Sequence, residues 1–373
     1  MSMKTKIFGL AVVGALALSL TACDQATTDT GGDAEEVTEI SSVGISMPTR
    51  ELERWINDGE QLDSLLSDAG FETDLQYAEN DTDTQISQIQ NQIASGVDVL
   101  VIAPIDGELL APVLQDAADE GITVIAYDRL INGTENVDYY ATFDNYKVGQ
   151  LQGKFIEEQL GLADGKGPFN LEPFAGSPDD NNAAFFFAGA WDVLLPYVES
   201  GQLVVPSGKS PADNEGWKAI GILGWGSDDA QAEMDNRLQS FYTGGDKVDV
   251  VLSPNDSLAL GIETSLDAAG YKPGSDWPII TGQDADVANV KAILADQQAM
   301  TVWKDTRELG GQVESMIAAI VAGDEVEVND TETYDNGTKV VPSYLLDPVV
   351  VTKDDVEPTL VESGFVKAAD IGL

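Results

Sequence analysis

The sequence predicts an α/β protein of two similar lobes, each a doubly wound parallel sheet with helices on both faces. Three observations lead to that fold class. Short apolar runs alternate with segments of helical spacing from residue 40 onward, the pattern of parallel strands joined by helical crossovers. The alternation restarts at "GPFNLEPFAG", past residue 165, as a second copy of the same architecture. Finally, two apolar strands echo each other, at 97–102 and 248–252, and each runs into a similar helix start, "PIDGELL" and "PNDSLAL". A chain of 373 residues, 43% hydrophobic, is long enough for two such cores.

Taken in order, "SSVGISM" is a short strand. "ELERWINDGEQLDSLLSDAG" puts Leu52, Trp55, Ile56, Leu62, Leu65 and Leu66 near helical spacing, with Gly70 as the stop. "ETDLQYAE" is a strand, "TDTQISQIQNQIASG" a helix closed by Gly96, and "VDVLVIAP" a continuous apolar strand. "GELLAPVLQDAADEG" is a helix, followed by the strands "ITVIAYDRLI" and "VDYYATFD". In the second half the strands are "GPFNLEPFAG", "LVVPSG", "VDVVLSPND", "WPIITGQDAD" and "AMTVWKDT". The helices between and after them are "DNNAAFFFAGAWDVLLPYVESG", "SDDAQAEMDNRLQSFYTGG", "SLALGIETSLDAAG", "VANVKAILADQQ" and "RELGGQVESMIAAIVAG".

Composition removes several function classes. With 19 Lys+Arg against 65 Asp+Glu, the formal net charge is −46, and such a surface repels nucleic acid and anionic lipid. It also suits a protein kept soluble at high salt. The absence of His removes the usual catalytic triad, the His-ligated zinc site and the commonest general base. "DTDTQIS" lacks the Gly and terminal Glu of a calcium loop, and "GWGSDD" is not a dinucleotide fingerprint; no metal or cofactor is called for.

The start of the chain has its own logic. Residues 1–22 combine a Lys-bearing start, an apolar stretch from Ile7 to Leu20 and small residues before the sole cysteine, Cys23. That is a secretory signal, and the apolar stretch is too short and wrongly flanked for a transmembrane helix. "LTAC" resembles a bacterial lipobox, in which the Cys becomes the lipidated first residue of the mature protein. The acidic, Gly/Thr-rich residues 23–39 read as a flexible tether.

Polar residues gather just after the strands: Asp128 and Arg129, Asp180 and Asn182, Asn255 and Asp256, Gln283 and Asp284, and Lys304, with Arg54 and Trp55 in the turns after the first strand. Each has an ordinary structural explanation. Asp128 and Arg129 could form a fold-holding ion pair; Asp180, Asn255 and Asp256 could be helix N-caps; Lys304 could be exposed, and Trp55 and Trp225 could be core aromatics. Together they point to a cleft, because ligands of open α/β sheets collect at the carboxyl ends of the strands. Paired carboxylate, amide and guanidinium groups suit the hydroxyls of a pyranose, and indole faces suit its C–H faces.

"ERWINDG", "SQIQNQIASGVDVLVIAPIDG", "VIAYDRLI", "ATFDNYKVG", "GSPDDNNA", "SPNDSLALG", "TGQDAD" and "TVWKDTREL" resemble the periplasmic xylose-binding and multiple-monosaccharide-binding proteins of ABC importers, over roughly residues 40–350. The stretches "KGPFN" and "VNDTETYDNGTKVVPSYLL" are closer to the multiple-sugar branch. The resemblance implies a type I periplasmic-binding-protein fold and sugar contacts from Arg54, Asp128, Asp180, Asn182, Asn255, Asp284 and Lys304, with Arg129 beside them and Trp55 and Trp225 stacking on the ring. It implies a monosaccharide ligand (xylose, glucose, galactose or arabinose), partners in the membrane permease and ATPase subunits of an importer, and no enzymatic step. A lipid anchor at Cys23 would place the protein, a monomer, on the outer face of the cell membrane. The expected lobes are 40–144 with 305–342 and 145–304 with 343–373, joined by three crossings near Asp144–Asn145, Lys304–Asp305 and Pro342–Ser343.

Three rival readings have distinct requirements. A glycoside hydrolase needs a carboxylic acid of raised pKa, whereas interleaved Arg and Lys should hold these carboxylates ionised. A sugar-responsive repressor needs a DNA-binding headpiece where the signal segment stands. A sensor that presents sugar to a chemoreceptor or receptor kinase uses the same binding chemistry.

Overall fold

The computed structural model describes residues 41–373. The expected signal segment 1–22, Cys23 and the tether 23–39 lie outside the described residues. The first half runs β1 (Ser42–Met47), α1 (Glu53–Asp68), β2 (Glu72–Tyr77), α2 (Thr82–Ser95), β3 (Val99–Ile102), α3 (Ala111–Asp119), β4 (Thr123–Tyr127) and β5 (Tyr139–Phe143). There follow α4 (Asn145–Leu160), β6 (Phe169–Pro173), α5 (Asn181–Glu199), β7 (Leu203–Val204), α6 (Ser227–Phe241), β8 (Val250–Leu252), α7 (Asp256–Ala268), β9 (Ile279–Ile280), α8 (Val287–Leu294) and β10 (Thr301–Trp303). The chain ends with α9 (Thr306–Ala322), β11 (Ser343–Leu346), β12 (Val349–Val351) and α10 (Ala368–Ile371).

Six strands form one wholly parallel sheet in the order β11-β5-β4-β3-β1-β2. The continuous apolar run of β3 explains why it lies at the centre. Val99 and Val101 face a core shared with Trp55 and Leu62 of α1 and Leu309 and Val313 of α9. Leu100 and Ile102 face the opposite core, with Ile89 of α2 and Leu114 of α3. Successive residues point to opposite faces of a strand, so only a strand apolar at every position can serve both. Helix ends follow local chemistry: Asp81 caps α2 by accepting from the Thr84 amide at 2.6 Å, and Gly96, at φ +81°, closes it in the left-handed conformation.

The second sheet is parallel but smaller, in the order β7-β6-β8-β9, over a core that includes Phe174, Trp191, Leu252 and Ile262. The two halves are alike in winding but not in size. "LVVPSG" forms only the two-residue β7. "AMTVWKDT" does not extend the sheet: β10 pairs antiparallel with β12, and a single bridge between Gln283 and Val302 joins it to the segment after β9. The chain passes between the sheets at Asp144, between β5 and α4, and at Lys304–Asp305, between β10 and α9. The expected third boundary at 342/343 is corrected. Ser343–Leu346 pairs with Tyr140–Phe143 and closes the edge of the first sheet, so the passage falls after Leu346, before β12. Among the described residues, no helix is long and apolar enough to cross a membrane.

Candidate functional site

Asp128 follows β4 with φ +58°, a left-handed conformation uncommon for any residue but glycine. Its carbonyl accepts from three side chains: Tyr140 Oη at 2.6 Å, Thr142 Oγ1 at 2.8 Å and Asn182 Nδ2 at 2.7 Å. These bonds hold the turn and offset its backbone strain. Two of the donors come from β5; the third comes from the first turn of α5, on the second sheet's side.

Arg54 sits in the first turn of α1 with its guanidinium shared among three carboxylates. Nη2 pairs with Asp128, Nη1 with Asp284 at 3.4 Å and Nε with Asp58 at 3.4 Å. Arg129 Nε lies 2.9 Å from Asp180, and its Nη1 donates to the Pro104 carbonyl at 3.2 Å. The guanidinium carbons of Arg54 and Arg129 lie 4.9 and 5.0 Å from the centre of the Trp55 ring, within cation–π range.

The opposite wall is built at helix starts. Asp180 caps α5, one oxygen accepting from the Asn182 amide at 2.9 Å and the other from Trp225 Nε1 at 3.2 Å. Asn255 caps α7 by accepting from the Leu258 amide at 3.0 Å. The cap reading and the cleft reading of Asp180 and Asn255 therefore hold together. Asp284, at φ +97°, pairs with Lys304 at 3.0 Å. Lys304 is 1% exposed, which overturns the reading of it as a surface lysine; its Nζ lies 5.4 Å from the centre of the Phe186 ring. Trp225 reaches the cleft because residue 176 is glycine: a Cβ there would stand 2.0 Å from the indole. Both tryptophans are core aromatics and cleft residues at once.

Arg54, Trp55, Asp128, Arg129, Asp180, Asn182, Trp225, Asn255, Asp284 and Lys304 all line one cavity between the two sheets. Leu52, Phe186, Ser257, Gln283 and Asp286 complete the lining. Of these the sequence singles out only Gln283; Ser257 and Asp286 lie inside "SPNDSLALG" and "TGQDAD" without standing out, Leu52 sits at a helical apolar position, and Phe186 lies in the apolar run of α5. Asp256 does not cap α7, because Asn255 takes that place. It is fully buried behind the wall, where it accepts from Gln298 Nε2 at 2.7 Å, Thr301 Oγ1 at 3.1 Å and the Asp286 amide at 3.0 Å.

Electrostatics divide the carboxylates. Burial alone would raise Asp128, but Arg54, Lys304 and Arg129 outweigh it and hold the group below its usual range. Burial likewise works against the charge of Arg54, and Asp128, Asp58 and Asp284 overcome it, so the guanidinium is held charged. At Asp180 burial prevails over Arg129 and the carboxyl is raised. Asp286 is pushed up to about 8 by burial and by the charges of Asp284 and Glu53. The interleaved cations therefore outweigh desolvation at Asp128, whereas at Asp180 desolvation is the larger effect. Among the described residues no group of three or more ligating side chains is placed to hold a metal ion.

Two α/β sheets whose strand tips face one polar cavity define a cleft-type binding protein. The chain belongs to the periplasmic binding protein family: the model of the periplasmic binding protein domain matches residues 43–325. It is 54% identical over 328 residues to the multiple sugar-binding periplasmic receptor ChvE of Rhizobium radiobacter, covering 88% of this chain and 91% of that one. To the D-xylose-binding periplasmic protein of Escherichia coli it is 37% identical, covering 92% and 95%. Among solved structures, an ABC transporter solute-binding protein from Clostridium phytofermentans with bound β-D-glucose matches with a TM-score of 0.84. It is 50% identical, over 89% of this chain and all of that one. These relatives are binding proteins, not enzymes.

Proposed function

We propose that this protein is an extracytoplasmic receptor that captures a monosaccharide in the cleft and delivers it to an ABC importer. The observation that carries the reading is the convergence of three cation–carboxylate pairs, Arg54–Asp128, Arg129–Asp180 and Lys304–Asp284, on a cavity that also holds two indoles. A sugar hydroxyl both donates and accepts, so it fits between the members of such a pair, donating to the carboxylate and accepting from the cation. The indoles of Trp55 and Trp225 take the apolar ring faces. Relatives that bind glucose, xylose and multiple sugars support an aldohexose or aldopentose as ligand.

The lobes close on the sugar. Arg54 reaches Asp284 and Asn182 reaches Asp128 across the cleft, and a ligand touching both walls favours the closed state by its differential affinity. The importer then reads closure rather than the sugar. Cys23 carries the lipid anchor that keeps the receptor at the outer face of the membrane, each buried acyl CH₂ contributing ~0.8 kcal/mol. Calorimetry and small-angle scattering with a panel of pentoses and hexoses test the reading. At least one aldose should bind and reduce the radius of gyration, and a non-binding one should leave it unchanged. No heat from any sugar would reject the ligand class; binding at constant radius would reject closure. Mass spectrometry of the native protein should find a diacylglyceryl-modified Cys23, and an unmodified terminus elsewhere would remove the anchor from the account.

A further inference from the structure

Of the three carboxylates on Arg54, two line the cavity and one does not. Asp58, one helical turn along α1, is 1% exposed and lies outside the cavity lining. Its Oδ2 stands 3.4 Å from Arg54 Nε, while Oδ1 makes no hydrogen bond. It caps no helix. Burying a carboxylate is costly unless it is paired, and the partner here is the one guanidinium edge that the cleft leaves free. The groups facing Asp58 come from four directions: Arg54 on its own helix, Asp128 and Tyr127 at the end of β4, Tyr77 on β2, and Lys304 with the Thr306 hydroxyl at the passage into α9.

We propose that Asp58 is a positioning residue of the cleft: it holds the Arg54 guanidinium from behind, at Nε. Arg54 is thereby fixed at Nε before a ligand arrives, leaving Nη1 and Nη2 to face the cavity. A binding group held in geometry by a buried neighbour pays less to order itself on binding. The same carboxyl makes the hold sensitive to pH. Burial pushes Asp58 up to about 6, against the opposing pull of Arg54. Above that pH the carboxylate grips Arg54; as the pH falls through it, protonation releases the grip and sugar affinity declines. By reciprocity, bound sugar lowers the pKa of Asp58.

This inference rests on the sugar-receptor reading, and two measurements separate their failures. In ligand-free protein, the Arg54 Nε–H resonance should titrate with a midpoint near pH 6 in the wild type and lose that titration in D58N. An Arg54 resonance that does not titrate in the wild type overturns the proposal, whatever the protein binds. Calorimetry with D-glucose and D-xylose between pH 5 and 8 should show D58N about tenfold weaker above pH 7 and without the wild type's step near pH 6, the wild type approaching it toward pH 5. Asp58→Glu should restore part of both the affinity and the slope. If Asp58 served stability alone, D58N would melt earlier yet keep the wild-type affinity and pH profile, and that result also overturns the proposal. A wild type that binds neither sugar while Arg54 titrates as described would reject the sugar reading and leave the positioning role standing.

Discussion

The two walls of the cleft place similar side chains by different means. On the first-sheet wall, Asp128 and Arg129 stand at the tip of a buried strand and Arg54 in the turn of a facing helix; none of them caps a helix. They are held by charge pairs and by the donors on the Asp128 carbonyl. On the second wall, Asp180 and Asn255 are helix caps before they are anything else. Each gives one oxygen to the fold and keeps the remainder for the cavity. The first wall therefore separates binding from helix capping, and the second couples them.

The sharpest break of that comparison is Asp128→Ala. It removes a cavity carboxylate held ionised by its neighbours and leaves Arg54 with one partner fewer in a desolvated place. We expect a loss of sugar affinity of more than a hundredfold, or about 3 kcal/mol, and a lower melting temperature, because the buried Arg54 keeps only Asp58 and Asp284. Asp180→Ala should weaken binding as well, but it also removes the cap of α5, adding about 1 kcal/mol of destabilisation. Asp180→Asn keeps a capping oxygen and should recover most of the stability and little of the affinity. Calorimetry and thermal melts on the three variants decide the matter. Equal melting temperatures for Asp128→Ala and Asp180→Ala would erase the distinction between the walls.

Gly176→Ala probes the second wall without touching a charge. The added Cβ would overlap the Trp225 ring, so the indole must shift and its bond to Asp180 must lengthen. Overpacking of this kind costs about 1–3 kcal/mol, and a roughly tenfold loss of affinity is expected in the calorimeter. Trp225→Phe keeps an aromatic face but removes the Nε1 donor and the outer part of the indole, and should fall between the wild type and Gly176→Ala. Wild-type affinity in Gly176→Ala would mean that the indole is not held where the ligand needs it.

Much of this was legible before the structure, for reasons that differ by element. Strand tips are readable because a buried strand that ends in charge has few other places to put them, and "VIAYDRLI" and "SPNDSLALG" both behave so. Asp180 and Asn255 were readable as caps or as cleft residues, but not as both, since a cap signature says nothing of where the second oxygen points. The third passage was misplaced because "VVPSYLLDPVV" is one apolar run in the sequence, and only pairing with β5 and β10 divides it into β11 and β12. The segment 214–225, which delivers Trp225, forms short 3₁₀ turns, and these carry neither period. Asp58 belongs to no signal in the sequence, because its burial depends on β4 and α9, far away in the chain.

The smallest expected effect contrasts the cleft with the body of the second lobe. In the cleft Asp128, Asp180 and Asp284 sit beside cations; Glu263, on α7 and outside the cavity lining, is 5% exposed, and its Oε1 has no hydrogen-bond partner. Burial pushes its carboxyl up to about 8. An acid raised in the folded state keeps its proton while the unfolded chain releases it, so its contribution to stability falls as pH rises from about 4.5 to about 8 and is level above that. Asp286, also raised to about 8, adds to the same slope. Glu263→Gln removes only the share of Glu263. The variant should melt close to the wild type at pH 5 and above it at pH 8.5, by about 2–6 °C, with unchanged sugar affinity at either pH. Parallel melting curves against pH for the two proteins would show that Glu263 finds a partner or a water when it ionises, and the contrast with the cation-lined cleft would then lose its energetic meaning.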